Sequence, residues 1–243
     1  MRLFKAGPAI EMVNASFVFL DHGGTLSKVS REHPQIVLDV LGEEGYEFTL
    51  EQVEKECRVS EAWWDENQNR LPRGQRRPLL IESNTLLLKG LGVDGARRIA
   101  ERIQTEWHAR AGFRLYPDTL PCLEELKRRG LPMGIISQNL DTNEELRNHA
   151  LQINHIGDYF SVVATSESMG YDKPDPRLFV EAAKLTGHTP ESIVHVGDKI
   201  DMDVEGAMAA GMQAILIDRS GTTSRSGPRT ISSLSELPLL LFD

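Results

Sequence analysis

This chain of 243 residues predicts an α/β fold: a parallel sheet covered by helices, with an all-helical module inserted after the first strand. Three observations carry that expectation. From Leu115 onward, helix-like segments alternate with short apolar runs, as in a sheet buried on both faces. Between Leu26 and Phe113 the periodicity is helical, with no convincing strand. One more apolar run, SFVFL at residues 16–20, precedes that stretch and ends at an acidic residue, as the later runs do.

Taken in order, SFVFL is the first strand, short and continuously apolar. The insertion supplies PQIVLDVLGEEG, TLEQVEKECRVSEAWWDENQ, PLLIESNTLLLKGLG and DGARRIAERIQTEWHARAG as helices. PDTLPCLEELKRRG is then a helix stopped by Gly130, and PMGIIS a strand. TNEELRNHALQ reads as a helix opened by Thr142, with Glu145 three residues later forming a capping box. SVVAT, SIVHVGD and QAILID are strands, separated by the helices PRLFVEAAKLTG and VEGAMAAGM, which end at Gly187 and Gly211. Residues 1–30 and 112–243 are thus assigned to the α/β core and residues 31–111 to a helical cap. A cleft is expected between them, over the carboxyl ends of the strands, where open α/β sheets bind ligands.

The formal charge of -9 argues against a sequence-independent nucleic-acid binder, which needs a basic surface. Cys57 and Cys122 lack metal-ligand spacing and read as reduced thiols, consistent with a cytoplasmic location. Glu11 and Asn14 interrupt the N-terminal apolar stretch, so neither a signal peptide nor a membrane span is expected. The expected partner is a small molecule, and the expected state a monomer or homodimer.

Asp21, Ser137, Lys173, Asp198 and Asp203 each stand at or just beyond a predicted strand end, or in the loop that follows. In a parallel sheet they converge on one pocket holding a carboxylate nucleophile, a hydroxyl, an ammonium and two further carboxylates. Such a set suits phosphoryl transfer with an oxygen-ligated Mg2+. These motifs resemble those of the haloacid dehalogenase (HAD) superfamily: DHGGTL, the Ser137 of GIISQN, the Lys173 of GYDKPDPRLF, and GDKIDMDVEGAMAAGM. The insertion is similar to that family's type-1 cap, and the core to its Rossmann-like sheet. The resemblance implies that Asp21 attacks phosphorus to form an aspartyl phosphate. It further implies phosphate binding by Ser137, Asn139 and Lys173, with Thr25 also in the phosphate-binding set and supporting its loop. Mg2+ would be held by Asp21, the Gly23 carbonyl and Asp198, and Asp203 would lie nearby.

Gly23 departs from the family pattern. The family's phosphatases carry there a second carboxylate that protonates the leaving group and then activates water, and glycine does neither. Loss of such a group typically costs about 10²- to 10⁴-fold in rate. Branches without that carboxylate include haloacid dehalogenases, which also lack the carboxylate matched by Asp198, and phosphonoacetaldehyde hydrolases, which need a cap lysine. The insertion offers Lys28, Lys55 and Lys89, none in a recognisable motif. The expectation is therefore an Mg2+-dependent phosphatase for a small phosphorylated metabolite, with altered acid–base catalysis. The competing reading is a phosphate- and Mg2+-binding regulatory module that has lost turnover.

Three further features carry expectations. His22 is a candidate replacement acid, although neighbouring side chains on an extended segment point apart. Asp203 either joins the acidic loop or caps the next helix. In the cap, Trp63 and Trp64 pack a core or line the entrance. Arg70, Arg73, Arg76 and Arg77 read as a solvated loop by default, or as a site for a second anionic group if that loop faces the cleft.

Overall fold

In the computed structural model, which describes residues 13–73, 75–152, 154–222 and 229–242, the first strand β1 (Phe17–Leu20) is wholly buried. The chain then forms β2 (Ser27–Lys28) and four helices: α1 (His33–Glu43), α2 (Leu50–Asn67), α3 (Arg77–Gly90) and α4 (Ala96–Ala111). Their inward stripes, among them Val37, Val53, Leu87, Leu88, Ile99 and Ile103, make a separate apolar core. Thr49 opens α2 with a capping box to Gln52, which satisfies two of the helix's otherwise unpaired N–H groups.

The return crossing, β3 (Arg114–Leu115), pairs antiparallel with β2, so the chain enters and leaves the helical module side by side. After it come α5 (Thr119–Arg128), β4 (Met133–Ser137), α6 (Asn143–Leu146), β5 (Phe160–Thr165), α7 (Ser166–Met169) and α8 (Pro176–Thr186). The chain finishes with β6 (Ile193–Gly197), α9 (Glu205–Ala209), β7 (Gln213–Ile217), β8 (Thr230–Ile231) and α10 (Leu237–Phe242). The main sheet has the order β5-β4-β1-β6-β7-β8, and every pairing in it is parallel.

Each strand expected from the sequence is present; β8 and the β2–β3 ribbon are too short for a sequence pattern to reveal. Gly130 and Gly211 adopt positive φ, and Gly187 caps α8 in the left-handed conformation. The segment opened by Thr142 has its capping box but only one α-turn, and it continues as a π-helical turn over Arg147–Leu151. Residues on the two faces of the sheet build two apolar layers, one around Leu20, Ile135 and Val196 and the other around Phe19, Phe179 and Ala182. No helix among the described residues is long and apolar enough to cross a membrane. Cys57 and Cys122 are buried free thiols, both raised to about 12 by burial first and nearby carboxylates second.

Candidate active site

β1 lies between β4 and β6, so Asp21 leaves the sheet at its centre, and the N–H of Asp21 donates to the Val196 carbonyl at 2.9 Å. Ser137 ends β4, and Asp198 follows β6 directly. Lys173 comes from the loop between α7 and α8 and is 5 % exposed. Its ammonium donates to Asp21 Oδ1 at 2.7 Å and to Asp203 Oδ1 at 2.6 Å. Burial by itself would lower the Lys173 pKa, but the two carboxylates outweigh it and hold the group above the ordinary lysine value.

Asp203 is the anchor of this array. It lies in a π-helical turn rather than at a helix N-cap, and Gly197 makes room for it: a Cβ there would come within 2.2 Å of its carboxyl carbon. Its carboxylate also meets His195 Nε2 at 3.1 Å and accepts from the Lys199 N–H at 3.0 Å. Burial pushes the Asp203 pKa up, yet the bonds from His195 and Lys173 outweigh it and hold the carboxyl well below its ordinary value.

Asp198 packs on Gly24, whose positive φ and missing Cβ the contact requires; a Cβ there would come within 2.2 Å of Asp198 Oδ2. Desolvation, then the charges of Asp21 and Asp203, raise the Asp198 pKa to about 6. Oxygen atoms of Asp21, Asp198 and Asp203 all lie within 4.8 Å of one another. This crowding of hard oxygen donors, whose mutual repulsion a cation relieves, fits an ion of the Mg2+ type.

The cleft over these residues has a volume of about 430 Å3 and is walled on the core side by Asp21, Gly23, Ser137, Lys173 and Asp198. Trp107 and His108, from the last turns of α4, wall it on the cap side. It continues into a chamber of about 640 Å3 beneath the cap, which shares Trp107, His108, Asn139 and Asp141 with it and is also lined by Trp64, Ser83 and Asn84. Asn139 faces both spaces, and its Oδ1 is buried without a hydrogen bond. Thr25 does not line the cleft: it is fully buried, and its carbonyl accepts from Arg219 Nη2 at 2.7 Å, which holds the loop from below. Trp64 lines the chamber, and Trp63 lines neither space.

His22 is buried, with Nε2 at 3.2 Å from Ser27 Oγ and its ring against Phe113. Burial lowers its pKa to about 4 despite the opposing charges of Asp21 and Asp141, so the ring is neutral at neutral pH. The arginine cluster departs from the expected solvated loop. The side chains of Arg73 and Arg76 are each 8 % exposed, and both pair with Asp172, next to Lys173. Arg73 also lies near Glu167 and donates to the Asn139 carbonyl at 3.4 Å. The anions that hold these arginines come from the core, about a hundred residues on in the sequence, which is why a local charge run read as solvent-facing. Arg70 and Arg77 are exposed.

Sequence reasoning missed His108 and Asp141, whose side chains meet across the cap–core boundary at 2.7 Å. The only signal was WH, residues 107–108, just ahead of the return crossing.

A family profile described as haloacid dehalogenase-like hydrolase matches residues 16–211. A glyceraldehyde 3-phosphate phosphatase of Methanothermobacter thermautotrophicus is 31% identical over 211 residues, 83% of this chain and 84% of that protein. The protein of the same name from Methanopyrus kandleri is 35% identical over 136 residues, covering 55% of this chain and 57% of that one. A phosphoserine phosphatase of Thermus thermophilus is 36% identical over 124 residues, 51% of this chain and 47% of its own. For these last two the match spans about half of the relative's length. A 2-haloacid dehalogenase structure from Pseudomonas syringae superposes with a TM-score of 0.70 at 24% identity, over 94% of this chain and 98% of that one, a likeness of fold. A profile match over residues 16–211 and a relative matched over most of both chains place the protein in the haloacid dehalogenase-like hydrolase family.

Proposed function

We propose that the protein is an Mg2+-dependent phosphatase that hydrolyses a small phosphorylated metabolite through an aspartyl phosphate on Asp21. The observation that carries this reading is the chain of contacts Asp21–Lys173–Asp203 in a cleft that also contains Ser137 and Asp198. Residues 31–111 act as the cap that encloses the rest of the substrate.

Asp21 supplies an oxygen nucleophile that Lys173 and the β1 backbone hold in place, so attack needs little reorganisation. The Lys173 ammonium offsets repulsion between that carboxylate and the incoming phosphate, and Ser137 and Asn139 offer polar groups to its oxygens. Mg2+, held by Asp21, Asp198 and the Gly23 carbonyl, would neutralise phosphate charge. Asp203 fixes Lys173 from behind. The names of the Methanothermobacter, Methanopyrus and Thermus relatives support a phosphate monoester as substrate.

The test is incubation of the chain with acetyl phosphate and Mg2+, following free and protein-bound phosphate, beside Asp21→Asn and an EDTA-treated sample. Acetate leaves without a proton, so the assay isolates the nucleophile. Phosphate release that disappears in Asp21→Asn and on chelation, and returns with added Mg2+, is the expected result. Gly23 favours one competing reading, a regulatory module: label that accumulates on Asp21 without release would establish it instead.

A further inference from the structure

Gly23 leaves the proposed reaction without its proton donor, and the cleft contains a side chain placed to replace it. We propose that His108, oriented by Asp141, is the general acid and base of this enzyme. The inference rests on the phosphatase reading and deepens it.

In-line attack by Asp21 sends the leaving oxygen away from the core, toward the cap-side wall of the cleft. His108 stands on that wall and also borders the chamber beyond, so it lies where phosphoryl group and leaving group must part. Its ring stacks on Phe113, with centroids 6.0 Å apart, and Phe113 also meets the ring of His22, which follows Asp21 in the chain. Asp141 Oδ2 lies 2.7 Å from His108 Nε2, an arrangement that orients an imidazole and balances the positive charge it carries when protonated. Both side chains are largely shielded, His108 at 17% and Asp141 at 15% exposure.

Four other proton-bearing groups of the cleft, Lys173, His22, Asp21 and Asp198, are committed elsewhere, and Lys199, which also lines it, is an exposed residue of the core loop after β6 and not of the cap-side wall. Lys173 is held between Asp21 and Asp203. His22 is neutral and tied to Ser27. Asp21 is the nucleophile, and Asp198 faces the metal position. Asp141 sits four residues beyond Ser137 on one loop, so the same loop positions the phosphate and the proton donor.

In the first step the bond from phosphorus to the leaving oxygen breaks as the Asp21 Oδ–P bond forms, and the His108 imidazolium gives its proton to the departing alkoxide. In the second, neutral His108 takes a proton from water as that water attacks phosphorus. The Oδ–P bond breaks, phosphate departs, and the carboxylate and imidazolium are restored.

The experiment compares steady-state kcat/KM, which reports formation of the aspartyl phosphate and not the hydrolysis common to both substrates, for β-glycerol phosphate and acetyl phosphate, with Mg2+, in the full chain and in His108→Gln, Asp141→Asn, and His108→Gln combined with Gly23→Asp. The expected result is a fall of about 10²- to 10⁴-fold in the glycerol phosphate to acetyl phosphate ratio for His108→Gln. Asp141→Asn gives a smaller fall in the same ratio, and the added Asp at position 23 recovers part of it. An equal loss of kcat/KM on both substrates would overturn the proposal and make the pair a latch between cap and core. So would an unmodified chain that turns over acetyl phosphate but no glycerol phosphate. Thermal melting of each variant identifies misfolding, and Asp141→Asn keeps the test open if His108→Gln unfolds. No Asp21-dependent release from acetyl phosphate removes the phosphatase reading itself, a failure distinct from an unchanged ratio.

Discussion

At position 23 the backbone carries no side chain, and no heavy atom outside residues 22–24 lies within 4 Å of where a Cβ would be. A side chain can therefore start there without a clash at its Cβ. In the His108→Gln background, Gly23→Asp is expected to raise alkyl phosphate hydrolysis by at least about tenfold, toward the range of a positioned acid–base group, while stability changes by under about 0.5 kcal/mol. Steady-state rates and a melting curve check both; no gain in rate removes the assigned role of position 23. The neighbouring Gly24 is the reverse case. Its φ of +84° and the 2.2 Å approach of Asp198 Oδ2 to a Cβ there make Gly24→Ala strained. That variant should need more Mg2+ for half-maximal activity, and a Mg2+ titration reads this out. At this scale Asp21, Ser137 and Asp198 were legible because polar residues interrupt apolar runs at strand ends, and Lys173 through the motif GYDKPDPRLF in the loop beyond β5. His108 was not: within a helix, a histidine beside a tryptophan carries no sign of which face meets the core.

Among the elements, the connection from α2 to α3 is where reading and structure part most. Four arginines in eight residues signal solvent when read locally, but Asp172 and Glu167 of the core draw two of them inward. Charge pairing across such a sequence separation has no local signature, whereas the capping boxes at Thr49 and Thr142 are local and follow from spacing alone. Asp172→Ala leaves the Arg73 and Arg76 guanidiniums without their shared carboxylate. Breaking a buried pair costs about 3–5 kcal/mol and an exposed one about 1 or less; Asp172, at 34% exposure, should fall between, at about 1–3 kcal/mol. Chemical denaturation measures that loss, and limited proteolysis between residues 67 and 77 should quicken with it. An unchanged midpoint would mean that the pairing adds nothing to the docking of the cap.

For the whole molecule, the order of strands and the place of the insertion were readable because alternation of helix and strand is a global rhythm. Acid stability also belongs here, because it sums over buried groups. His22 has a folded pKa lowered to about 4, below its unfolded value near 6.5. The unfolded chain therefore binds the extra proton, and stability falls as pH drops from about 6.5 toward 4, by roughly 3 kcal/mol at most for this one group. His195, lowered chiefly by burial, acts in the same direction. Asp198 acts in the opposite sense in the metal-free chain. Its folded pKa, raised to about 6, means that protonation between pH 6 and 4 favours the folded form. Melting temperatures of the metal-free chain at pH 7 and 4.5 should show a smaller acid loss in His22→Gln and a larger one in Asp198→Asn. Equal losses in all three would assign acid sensitivity to other groups.

The β2–β3 ribbon, where the chain leaves the sheet-bearing part and comes back beside itself, has a consequence for inheritance. Two adjacent crossings make the intervening stretch a cassette: it can be lengthened, swapped or excised at one seam while Asp21, Ser137, Lys173 and Asp198 keep their mutual register. Yet His108 belongs to the cassette and Asp141 to the part that stays. A graft at that seam therefore exchanges more than the choice of guest, because it divides a pair of side chains that meet only when both pieces come from the same ancestor.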